Sequence, residues 1–184
     1  MISIQERGFS ANRIKCLALA AMFTDHLAYL IAPDRGPLYT ALHFIGAAAA
    51  PVLFYFAAEG YRRTRSVRRY LARLALFAAV SYVPFLYFFE GQLPNAENFL
   101  KLNVLYTIFL GVLALRVVNG TFRPPLRTAL LAAILALSAF GDWGYMGVLM
   151  ILAFDRFRGE EESRFYAFYP LHLALLSLVR ASMS

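Results

Sequence analysis

A chain of 184 residues with 60% hydrophobic, 16% aromatic and only 16% charged residues carries too little polar surface for a soluble domain. Its formal net charge of +7 needs no nucleic acid to explain it, because the basic loops lack interleaved aromatics and sort to one side of a membrane. The single Cys16 excludes an internal disulfide and reads as a small packing residue.

Residues 1–15, MISIQERGFSANRIK, lack the charged, apolar, small-residue order of a cleavable signal, so the first apolar run is expected to stay in the mature protein. Seven apolar segments follow, at about 13–32, 38–60, 70–89, 100–118, 125–140, 144–157 and 165–181. Breaks between them carry Pro33 to Pro37, the cluster Arg62 to Arg69, Glu90 to Asn98, Asn119 to Pro125, Gly141 to Gly144 and Arg156 to Arg164. No segment alternates as a strand would. The expected fold is therefore all-α: one polytopic membrane bundle over residues 1–184, with no second domain and no internal repeat.

Every Lys and Arg except Arg35, Lys101 and Arg180 falls on one side of this arrangement. The positive-inside rule then puts the N-terminus in the cytoplasm and the C-terminus outside, in a multi-pass protein of the bacterial inner membrane. Segments 125–140 and 144–157 are short, about 20 Å of helix against a hydrocarbon core of about 30 Å. They read as full spans or as a re-entrant hairpin whose Gly-Asp-Trp-Gly tip lines a cavity.

The first segment holds Lys15 at its start and Asp25 and His26 inside it. Eleven helical residues advance about 1100°, so Lys15 and His26 share a face roughly 16 Å apart. Ionisable groups at such depth are functional candidates by default. Asp25 points about 100° away from His26, so its partner is expected on another helix, His43 or His172. His43 lies about five residues into the second segment, near the level of His26, while His172 sits nearer mid-membrane in the last. Asn103, Tyr106 and Thr107 enter from the same side, and the hairpin tip adds Asp142 and Trp143. Each has a structural alternative: interhelical hydrogen bonds for Asn, Thr and Tyr, and an aromatic belt for Trp and Tyr.

Near the basic side, Glu59 is expected to form a structural ion pair with Arg13, Lys15 or Arg63. Arg62, Arg63, Arg65, Arg68 and Arg69 anchor topology on anionic lipids or grip the phosphates of a cytosolic ligand. No zinc-site spacing, Gly-rich loop after a strand, or Gly-x-Ser-x-Gly elbow is present, which disfavours metal and serine-hydrolase chemistry.

Five ordered blocks carry a resemblance: LALAAMFTDHLAYL, then LHFIGAAAAPVLFYFAAEGYRRTRSVRRYLARLALFAAVSYVPF, NVLYTIFLGVL, GDWGYMGVLMILAF and FYAFYPLHLALL. Together, from about residue 13 to 177, the chain resembles the TraX family. Its founding members are membrane acetylases of the N-terminal amine of conjugative pilin, so the resemblance implies acetyl transfer from acetyl-CoA and leaves the acceptor open. A looser resemblance reaches integral membrane acyltransferases whose first helix carries Arg or Lys, ten residues, then His. Lys15 to His26 fits that spacing, and YPLHL puts His172 in a setting like that group's late histidine.

These resemblances and the residues together give one expectation. Acetyl-CoA is the donor, held by Lys15, Arg13, Arg62, Arg63, Arg65 and Arg69; a phosphopantetheine arm reaches inward by about 16 Å. His26 acts as base or transient acyl carrier, Asp25, His43 and His172 complete the catalytic set, and Asn103, Tyr106, Asp142 and Trp143 serve the acceptor or the oxyanion. The acceptor is an amine or hydroxyl on a protein or glycan at the outer side. The competing expectation is a non-enzymatic carrier or assembly factor with a polar intramembrane core.

Overall fold

The structure, a computed structural model, describes residues 11–31 and 36–157. Among them lie eight helices and no strand: α1 (Ala11–Ile31), α2 (Pro37–Ala47), α3 (Ala49–Arg63), α4 (Val67–Val80), α5 (Tyr82–Glu90), α6 (Val104–Val118), α7 (Pro124–Ser138) and α8 (Gly144–Arg156). They make six rods, because α2 and α3 are one rod interrupted at Ala48 and α4 and α5 one interrupted at Ser81. Both interruptions have the same cause. Pro51 and Pro84 each stand three residues beyond the break. A proline nitrogen has no hydrogen to offer the carbonyl four residues back, so the helical ladder is cut there.

Six of the seven expected segments thus appear, and segment 165–181 lies outside the described residues. Three rods are long and apolar enough to cross a membrane: Arg13–Ile31 with 19 residues, Pro37–Arg63 with 27 and Val67–Glu90 with 24. The α6 and α7 helices have 15 residues and α8 has 13. These shorter helices are about 20–22 Å long.

The core lies where the short helices meet α3. Ala50, Phe54, Ala57 and Ala58 of α3 pack with Ile108, Val112 and Leu115 of α6 and with Met150, Ile151 and Phe154 of α8. A second cluster joins Leu110, Ala114 and Val117 of α6 to Ile134 of α7 and Val148 of α8. The α6 helix is buried on nearly every side, as its unbroken apolar sequence requires. Lipid tails are as apolar as leucine, so close packing rather than expulsion from water favours these contacts. Small residues permit it: a Cβ on Gly111 would stand 2.3 Å from Ile151 Cδ1, and one on Gly147 would stand 2.5 Å from Thr107 Cγ2.

The two ends of the bundle differ. At one end, Arg62 Nε meets Asp155 Oδ1 at 2.6 Å, its Nη2 donates to the Asp155 carbonyl at 2.5 Å, and Asn119 Nδ2 donates to Asp155 Oδ2 at 3.3 Å. The clamp ties the last turns of α3 and α8 to the residue capping α6, beside the arginine-rich connections. At the other end, residues 91–103 descend from α5 to α6. Gly91 turns the chain at φ 67°, a left-handed conformation that glycine adopts freely. Asn95 Oδ1 accepts from the backbone nitrogens of Glu97 and Asn98, and Tyr82 Oη donates to the Phe99 carbonyl. Backbone bonds from Leu102 N to Phe140 O and from Asp142 N to Leu102 O, both 2.8 Å, then pin the α7–α8 turn to the start of α6.

Candidate functional site

The ionisable cluster forms at the end away from the arginine-rich connections, where α1 and α2 fold back on each other. Gly46 of α2 sits directly against α1, since a Cβ there would lie 2.2 Å from Asp25 Cβ. That approach aims the Asp25 carboxyl at the neighbouring helix, and Asp25 Oδ1 meets His43 Nδ1 at 2.5 Å. With the carboxylate ionised, Nδ1 must carry the hydrogen, which leaves His43 Nε2 as the position that gains or loses a proton. The His43 side chain is 46% exposed and that of Asp25 20%, so the pair is open on the imidazole side.

His26 is held differently. Its Nδ1 lies 2.7 Å from the Met22 carbonyl, one turn back. A carbonyl only accepts, so Nδ1 donates and Nε2 is left as the nitrogen with a free lone pair. The ring packs at 5.4 Å and 5.5 Å from the centroids of Phe88 and Phe89 on α5. Tyr29 meets Phe89 edge-on at 5.0 Å and Tyr39 at 5.5 Å, and Tyr39 stacks on His43 at 5.5 Å with the planes 11° apart. An aromatic wall from α1, α2 and α5 therefore lines one side of the two imidazoles.

Asp142, on the α7–α8 turn, lies within electrostatic reach of Asp25 and His26. Its carboxyl is raised above the ordinary carboxylate range, first by the protein crowded around it and then by the like charge of Asp25, while His26 pulls it down. Four predicted residues, Asp25, His26, His43 and Asp142, thus converge from three parts of the chain.

Other predicted residues have separate tasks. Asn103 caps α6 by accepting from Tyr106 N at 3.2 Å, and its Nδ2 donates to the Ala78 carbonyl of α4 at 2.9 Å. Tyr106 Oη donates to Leu137 O at 3.2 Å, tying α6 to α7. Trp143 packs edge-on against Phe54 at 5.6 Å, in the core rather than in the aromatic wall. His172 lies outside the described residues. An apolar groove of about 330 Å³ runs between Ala75, Ala78 and Ala79 of α4 and Phe109 of α6.

Toward the basic end, Lys15 Nζ sits 4.8 Å over the Phe56 ring, a cation–π contact, and Arg13 stands two residues before it on α1. Arg63 pairs with Glu59 one turn back, and Arg62 belongs to the Asp155 clamp. Arg65 and Arg69 are exposed and, among the described residues, have no ion-pair partner. No group of three His, Cys, Asp or Glu among those residues is placed to hold a metal ion.

Sequence reasoning missed Tyr29, Tyr39, Phe88, Phe89 and Gly46. A signal existed for two of them. Tyr29 stands four residues after Asp25 and Tyr39 four before His43, the spacing that puts side chains on one helical face. Phe88, Phe89 and Gly46 become visible only once α5 and α2 are packed on α1.

Comparison with known proteins gives this geometry a family. A family model described as "TraX protein" matches residues 10–164. The chain is 30% identical over 174 residues to the "Probable fimbrial assembly protein FimC, serogroup H1" of Dichelobacter nodosus, an alignment covering 92% of this chain and 71% of that protein. No solved structure matches. With the ordered sequence blocks, the apolar helical bundle and a family match over most of its length, the chain belongs to the TraX family.

Proposed function

We propose that this protein is an acyltransferase of the bacterial cytoplasmic membrane that moves an acetyl group from cytosolic acetyl-CoA to an amine or hydroxyl acceptor at the outer side. The observation that carries the reading is the convergence of Asp25, His26, His43 and Asp142 at the end of the bundle opposite the arginine-rich connections. Family membership and the relative's description as a fimbrial assembly protein favour a pilin-type N-terminal amine as acceptor.

Arg65 and Arg69, with Lys15 and Arg13 near them in the topology, are the cations for the donor's phosphates. Arg62 and Arg63 already have acid partners and serve the scaffold first. The thioester has about 16 Å to reach between the level of Lys15 and that of His26. There, a neutral imidazole Nε2 can take the acceptor's proton or attack the thioester carbon itself.

The relative's name also favours a second reading, an assembly factor that consumes no thioester. Purified protein in lipid nanodiscs, given acetyl-CoA with and without amine and hydroxyl acceptors, separates them. Acceptor-dependent release of free CoA that falls by about 10²-fold or more when both imidazoles are removed, in a His26→Gln/His43→Gln double variant, supports the enzyme. Absence of CoA release from the wild type under every condition overturns it.

A further inference from the structure

His26 is the histidine that the Lys-x10-His spacing singles out, yet Asp25 is aimed elsewhere. Its carboxylate meets His43 Nδ1 at 2.5 Å, while the Nδ1 of His26 is held by the Met22 carbonyl. The two imidazoles are therefore unequal. An anionic partner stabilises the positive charge an imidazole gains on accepting a proton, and a backbone carbonyl does so far less. The groups around His43 are Asp25 and Tyr29 from α1 and Tyr39 from its own helix, with His26 next to Asp25 along α1 and Asp142 beyond.

Resting on the acyltransferase reading, we propose that His43 is the residue that takes the proton from the acceptor, that Asp25 is its positioning partner, and that Gly46 fixes the pair by letting α2 approach α1. The step balances. The acceptor's nitrogen or oxygen bonds to the thioester carbonyl carbon while His43 Nε2 takes its proton and the carbonyl electron pair moves to oxygen. The C=O re-forms, the carbon–sulfur bond breaks with its pair on sulfur, and the proton on His43 passes to the thiolate. Acetylated acceptor and CoA thiol are the products.

Stacking on Tyr39, edge contact with Tyr29 and the bond to Asp25 hold the ring on three sides, and the side chain's 46% exposure leaves the ring partly open. Gly46 has no other clear reason to be glycine, since its backbone is helical and its missing Cβ lies where Asp25 begins.

The test is steady-state CoA release by full-length protein in nanodiscs, with acetyl-CoA binding measured beside it. In His43→Gln, kcat falls by about 10²-fold or more. Asp25→Asn moves kcat in the same direction by less, while the Kd for acetyl-CoA stays within about twofold in both. A merely structural role would weaken donor binding as well, and that result overturns the proposal. A second measurement needs no variant: wild-type protein is treated with diethylpyrocarbonate and its modified histidines are mapped by mass spectrometry. Activity lost in step with modification of His43 and restored by hydroxylamine supports the assignment. Full turnover with His43 modified, or in His43→Gln, overturns it. Failure of the broader reading looks different, since the wild type itself then releases no CoA.

Discussion

At the scale of single residues, a helix fixes directions that depth alone does not. Asp25 and His26 are adjacent in sequence and point about 100° apart, so each finds its partner in a different place: α2 for Asp25, the Met22 carbonyl for His26. The sequence showed that Asp25 would look to another helix. Which helix depended on Gly46, because only a residue without Cβ lets the two backbones come so close. Gly46→Ala is therefore expected to push Asp25 off His43, lowering stability by about 1–3 kcal/mol through overpacking and lowering turnover with it. Detergent unfolding and CoA release measure the two effects. Gly147→Ala, where the new carbon would press on Thr107 and Phe54, should cost a similar amount.

At the scale of elements, prolines and caps account for where helices begin and bend. Pro51 and Pro84 interrupt two long rods without ending them, since the neighbouring turns continue in the same direction. Asn103 shows how a polar residue at membrane depth can look catalytic and serve structure. Its carbonyl oxygen takes one of the free N–H groups at the start of α6, and its amide hydrogen satisfies Ala78 on α4. Asn103→Ala should lower stability by about 0.5–2 kcal/mol through loss of the cap, with acetyl-CoA affinity unchanged. Titration with acetyl-CoA beside thermal unfolding checks this: loss of donor affinity at full stability would place Asn103 in the site instead. Periodicity alone could not reveal the cap, because an N-cap is defined by where the chain stops being extended.

At the scale of the whole molecule, the Arg62, Asp155 and Asn119 clamp closes one end and the ionisable cluster occupies the other. Arg62 is partly exposed, so water screens the pair. A double-mutant cycle with Arg62→Ala and Asp155→Ala is expected to give a coupling of about 1 kcal/mol or less. Orientation in the membrane is tested by labelling. In a Cys16→Ser background, Gln92→Cys should react with an impermeant thiol reagent added outside intact cells, and Arg65→Cys only after the membrane is opened. The reverse pattern would invert the positive-inside assignment.

Sequence by itself determined the class, the six described rods and the sorting of basic residues to one side. Hydropathy and charge are summed along a segment and do not need neighbours. It also nominated Asp25, His26, His43 and Asp142, because ionisable groups in apolar surroundings stand out without a fold. Only the tertiary structure decided that Asp25 serves His43, that Asn103 and Tyr106 tie helices together, and that Trp143 belongs to the core. Those outcomes depend on which faces meet. A helix presents its side chains in every direction, and the choice among them is made by packing against partners distant in sequence.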